Sequence, residues 1–101
     1  MANEQQHHID VELDEAAAGG QYANLAIISH STSEFVLDFA AVLPGVAKAK
    51  VRSRIILAPE HAKRLLLSLQ ENIGRYEANI GKIEIPTPRS GQMGGFNVGE
   101  A

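Results

Sequence analysis

The stretch from Ala58 to Ile80, APEHAKRLLLSLQENIGRYEANI, constrains the fold more than any other. Ala62, Leu65, Leu66, Leu69, Ile73, Tyr76 and Ile80 recur at spacings of three and four, which is one apolar stripe of an amphipathic helix. Pro59 suits the first helical position, where its missing N–H would have no partner in any case. Gly81 is a natural terminator. Glu60, Lys63, Arg64, Glu71, Arg75 and Glu77 fall on the other side, with Glu60/Arg64 and Glu71/Arg75 spaced for weak surface pairing. Such a helix needs an apolar partner surface, and the segments before it are suited to supply one.

Those segments read as strands. Ile9, Val11 and Leu13 alternate with Asp10, Glu12 and Asp14, the pattern of an edge strand with one wet face. AAAGG, residues 16–20, breaks that pattern as a flexible turn. Tyr22 to Ser29 is apolar on both faces, and the polar turn His30-Ser31-Thr32-Ser33 follows it. Glu34 to Val42 reads as the next strand and Lys50 to Leu57 as the last, with Leu43-Pro44-Gly45 marking the exit between them. The expected fold is α+β: an antiparallel sheet of three to four strands covered on one face by a single long C-terminal helix, in the order β-β-β-β-α. The expected organisation is a flexible leader over residues 1–8, one domain over 9–85 and a flexible Pro/Gly-rich tail over 86–101.

Hairpin arithmetic assigns the faces. A turn centred on Thr32 sets Leu37 opposite Ile27, and one centred near Val46 sets Leu37 opposite Ile55 and Asp38 opposite Arg54. Leu25, Ile27, Phe35, Leu37, Phe39, Val51, Ile55 and Leu57 then form the floor beneath the helix. The reverse face mixes apolar and charged groups. Its Tyr22, Asn24, Ala26, Ile28, Val36, Asp38, Ala40, Arg52, Arg54 and Ile56 are the expected interface. A single helix leaves that side open to a second copy, which makes a homodimer the first expectation and a heterologous protein the second.

Composition narrows the function classes. A net charge of −3 gives no overall attraction to nucleic acid. Lys48, Lys50, Arg52 and Arg54 alternate, however, and an extended chain would project all four to one side as a basic ribbon able to meet a phosphate backbone. There is no cysteine, so thiolate metal sites, disulfides and cysteine nucleophiles are excluded. His30, Ser31, Ser33, Glu34 and Asp38, with His61 able to approach in space, do not make a catalytic set, because a hydroxyl and an imidazole in one turn lack the required geometry. Ser31 or Ser33 reads better as a brace for the turn. Metal binding by His30, Glu34 and His61 needs an unsupported tertiary approach, and the adjacent His7 and His8 read as solvated. No glycine-rich strand-to-helix loop is present to hold phosphate. The expectation is a non-catalytic cytoplasmic domain without metal, cofactor or membrane segment.

A resemblance adds to this. Tyr22-Ala23-Asn24, His30-Ser31 with Ser33-Glu34-Phe35, Leu37-Asp38-Phe39, Leu43-Pro44-Gly45, Arg54-Ile55-Ile56, Pro59 with His61-Ala62-Lys63, and Asn72-Ile73 to Tyr76-Glu77 resemble the small bacterial, Bacteroidetes-like proteins grouped as domain-of-unknown-function family 3467. The likeness spans Gly20 to Glu84, with the His-Ser-x-Ser-Glu-Phe run as its most distinctive motif. It supplies no catalytic residue or cofactor. It implies a transcription-associated setting.

Overall fold

The structure is a computed structural model and describes residues 8–86. The expected leader and tail lie, apart from His8 and Pro86, outside the described residues. Among the described residues, three antiparallel strands in the order β1-β2-β3 precede a long helix, an α+β arrangement. A short helix α1, Glu15–Ala18, comes first. The strands are β1, Leu25–His30; β2, Phe35–Ala41; and β3, Lys50–Leu57. The helix α2 covers Pro59–Asn79, with Pro59 in its first turn as the sequence requires.

The N-terminal strand does not form. Residues 9–13 have no ladder partner, and Ile9, Val11 and Leu13 are exposed. Alternation alone does not make a strand: its backbone groups must pair with a neighbour, and residues 9–13 join neither open edge of the sheet, β1 or β3. AAAGG is not a simple turn either. The Asp14 carboxylate accepts the Ala17 N–H at 3.0 Å, nucleating α1 at an N-cap.

The first hairpin shifts the expected register by one residue. Ile28 lies opposite Leu37 and His30 opposite Phe35, so the turn centres between Thr32 and Ser33 and not on Thr32. Ser31 produces this. Its N–H donates to the Glu34 carbonyl at 2.9 Å, and its Oγ accepts the Ser33 and Glu34 N–H groups at 3.1 and 3.3 Å. A hydroxyl thus holds a loop that contains no glycine and no positive φ. The slip turns every β1 side chain over. Ala26, Ile28 and His30 join Phe35, Leu37 and Phe39 on the helix side, while Leu25 and Ile27 move to the reverse side with Val36, Asp38 and Ala40. Because β1 is apolar on both faces, either register buries oily side chains. The turn decides.

The second hairpin follows expectation from Phe35 to Phe39: Leu37 faces Ile55, Asp38 faces Arg54 and Phe39 faces Ser53. Leu43-Pro44-Gly45-Val46 makes the turn, closed by the Val46 N–H on the Leu43 carbonyl at 3.2 Å. Gly45 has φ +78°, as a type II turn with proline before it demands. Between Phe39 and Ala40 the ladder is broken by a bulge, and Ala40 pairs with Val51. Val51 therefore leaves the expected floor.

Buried side chains are few among the described residues. Leu25, Leu37, Ala40 and Ala41 form the core, all on β1 and β2. The long helix buries no residue at all.

Candidate protein-interaction surface

The helix starts one residue after β3 ends, so the chain must reverse at Ala58. It then passes back over the face that carries Phe35, Leu37, Phe39, Ile55 and Leu57. That orientation is the expected one, because Leu65, Leu66 and Leu69 look toward Leu37 and its neighbours. The distance is not the expected one. An apolar groove of about 470 Å³ runs between the two layers, walled by Ile28, Phe35 and Leu37 below and by Ala62, Leu66 and Leu69 above. A second recess lies on the β3 side, between Phe39, Ile55 and Leu57 and the helix residues His61, Arg64 and Ser68.

Length explains part of this. The 21-residue helix extends ~31 Å, whereas the eight residues of β3 reach only ~26 Å. The groove wall ends at Leu69. Beyond it the stripe continues, with Ile73 40%, Tyr76 46% and Ile80 71% exposed. Leu66 and Leu69, inside the groove, are still 54% and 53% exposed. Removing such side chains from water is worth ~1.5–3 kcal/mol each, and in the single chain about half of that is not realised.

The helix ends are ordinary. Arg64 bonds Glu60 one turn back and holds the Glu60 carboxyl below its usual range. The expected Glu71/Arg75 pair is replaced by Arg75 donating to the Asn72 Oδ1 at 3.4 Å, while the Asn72 Nδ2 donates to the Ser68 carbonyl at 2.9 Å. At the far end Glu77 Oε2 accepts the Ile83 N–H at 3.0 Å, tying the following segment to the last turn.

The reverse face holds only part of the expected interface. Val36, Asp38, Ala40, Arg54 and Ile56 share it, and the register places Ala26 and Ile28 on the helix side instead. Tyr22 and Asn24 precede β1. Asn24 is structural: its Oδ1 accepts the Val42 N–H at 2.7 Å, its Nδ2 donates to the Val42 carbonyl at 3.0 Å, and its own N–H reaches the Ala40 carbonyl at 3.0 Å. One side-chain amide thereby extends the ladder past the strand's end, a role that an asparagine next to an apolar run could have suggested. Asp38 and Arg54 form the expected cross-strand pair, a two-bonded fork at 2.7 and 2.8 Å. The hydrogen bonds from Arg54 hold the Asp38 carboxyl below its ordinary range and push the guanidinium further up.

The basic ribbon is not continuous. Lys48 lies before β3, Lys50 pairs with Ala41 on the helix side, and Arg54 is on the reverse face, forked to Asp38. The bulge takes Arg52 out of the alternation, and Arg52 lines a recess with Gln21, Ala23, Phe39 and Ser53. The two histidines weighed for chemistry are apart in role. His30 stacks on the Phe35 ring with centroids 5.2 Å apart, and His61 edges the β3-side recess. Ser31 is the brace of its turn.

Among the described residues, no helix is long and apolar enough to cross a membrane. A family profile described as "Protein of unknown function (DUF3467)" matches residues 1–85, and the chain belongs to that family. No curated protein and no solved structure matches it.

Proposed function

We propose that this chain is a non-catalytic association domain, and that its partner on the helix side is a second copy of itself. One observation carries the reading. A helix of 21 residues exposes a continuous apolar stripe and buries nothing. A contiguous apolar surface of that kind marks an interaction site more often than a free face. The same chain carries both halves of a contact: an apolar groove over the sheet, and an apolar stripe that overshoots it. A two-fold pair satisfies both at once, since each copy offers the groove and the filler.

This moves the association surface from the reverse face to the helix face. The reverse face, with its charges forked and Ala40 buried, has less apolar surface left to hide. The broken basic ribbon gives no support to nucleic-acid contact.

The test is solution mass. Light scattering at tens of micromolar should give twice 10.9 kDa, and Leu66→Asp should return the mass to that of one chain. A single-chain mass for the unaltered protein across that range would end the proposal.

A further inference from the structure

The proposed self-association also has a direction, and this inference rests on that reading. Ala62, Leu66, Leu69, Ile73, Tyr76 and Ile80 are spaced four, three, four, three, four, the spacing a 3.5-residue repeat requires, while Leu65 beside them also lines the β3-side recess. In heptad terms Leu66, Ile73 and Ile80 occupy a, while Ala62, Leu69 and Tyr76 occupy d. A stripe of this kind is the seam of a two-helix coil. We infer that two copies pair their α2 helices antiparallel about a two-fold axis near Gln70–Glu71, so that the C-terminal half of each helix fills the groove of the other.

Three features on the helix select that direction. First, antiparallel layers close completely: Leu66 meets the partner's Tyr76, Leu69 meets the partner's Ile73, and Ala62 meets the partner's Ile80. The smallest seam residue thus receives a large side chain. Second, the groove is walled by the N-terminal half of the helix, and the exposed seam residues outside it, Ile73, Tyr76 and Ile80, are at the C-terminal end. Only a head-to-tail overlap brings those two halves together. A parallel pair would set Tyr76 against the partner's Tyr76 and leave the sheet floor at Ile28, Phe35 and Leu37 uncovered.

Third, the flanking charges match. Lys63 and Glu77 both occupy e, the position at which antiparallel helices flank one another. Reversal puts Lys63 beside the partner's Glu77 twice and Gln70 beside the partner's Gln70 once. Lys63 already sits on the groove wall, and Glu77 uses Oε2 for the Ile83 N–H, leaving Oε1 to face a cation. In a parallel coil e faces g, where Lys63 would meet no acid and Glu77 would meet Asn72.

The absence of cysteine makes the direction readable by cross-linking. Gln70→Cys should form a covalent dimer with itself under mild oxidation. Ile80→Cys should link only when mixed with Ala62→Cys. A charge cycle supplies the second measurement: Lys63→Glu and Glu77→Lys should each weaken association about tenfold, and the double exchange should recover most of it. Ile80→Cys linking to itself at doubled mass would overturn the antiparallel pairing while leaving self-association intact. A single-chain mass at every concentration would overturn both.

Discussion

Across the β2–β3 ladder, main-chain bonds and the Asp38–Arg54 fork hold partners in a fixed register; across the junction between the sheet and α2, not one helix residue is buried. Both regions are apolar in sequence, so hydrophobicity does not separate them. Closure does. The hairpins are finished by contacts within the chain: Ser31 braces one turn, Pro44-Gly45 sets the other, and Asn24 seals the ladder's end. The helix layer has its floor and its stripe but lacks a third surface to fill the groove. A region that is completed by its own chain should respond to mutation at any concentration. One completed by a second copy should respond only where copies meet.

Leu37→Ala probes this contrast with the largest expected loss. Leu37 is 6% exposed at the centre of the sheet and reaches both recesses beneath the helix. Its truncation should cost about 3 kcal/mol, in line with buried leucine deletions, and the cost should appear in dilute and concentrated samples alike. Leu69→Ala, at 53% exposed, should lower the denaturation midpoint only at concentrations where the protein associates. Urea unfolding at two concentrations a hundredfold apart measures both. An equal, concentration-independent loss for the two would erase the distinction between the regions.

The next effect is smaller and concerns backbone alone. Gly45 holds φ +78° in the Pro44 turn, and a Cβ there meets nothing within 4 Å. Gly45→Ala should therefore cost about 1 kcal/mol through conformation only, since a left-handed residue with a side chain is strained. Gly74, inside α2, also has open space around it. Gly74→Ala should do the reverse and stabilise the helix by about 0.5–1 kcal/mol. Opposite signs from two identical substitutions, read as shifts in thermal midpoint, would confirm that the β-turn is already committed while the helix still has stability to gain.

What the sequence makes legible follows the same division. The helix was legible residue by residue, because Pro59, the stripe and the helix end are local signals. So was the Asp38–Arg54 pairing, since a hairpin centred near Val46 sets those two residues opposite each other. The first hairpin misled because Ser31-Thr32-Ser33 carries no glycine to place its centre, and β1 is oily on both sides, so no buried polar residue betrays a slip of one. The bulge at Phe39/Ala40 has no residue signature of its own, and it scattered the basic alternation from Lys48 to Arg54. Ile9–Leu13 had the period of a strand without a neighbour to pair with, and periodicity cannot report a missing partner. For the expected interface, the slip of β1 moves Ala26 and Ile28 to the helix side, and the groove leaves exposed apolar surface where the helix was expected to cover its floor.

The smallest expected effect compares the two ion pairs, one in each region. Asp38 is lowered chiefly by its hydrogen bonds from Arg54, with the charge of the guanidinium adding to them and partial burial opposing. Glu60 is lowered chiefly by the hydrogen bond from Arg64, with the charges of Arg64 and His61 adding. Both folded values lie below the unfolded ones, so each pair's contribution is complete above the ordinary carboxylate range near ~4 and is lost as pH falls through the folded value. Asp38→Asn should flatten the decline of the urea midpoint below about pH 4, because the protons taken up on unfolding no longer differ at that site. Glu60→Gln should flatten it less. Its partner lies one turn away on an exposed helix surface, where a pair of side chains gains little over water, whereas the Asp38 fork spans two strands and sits over a half-buried carboxylate. A larger change from Glu60→Gln would reverse the ranking, and with it the claim that the ladder, and not the helix, is the part of this chain already closed on itself.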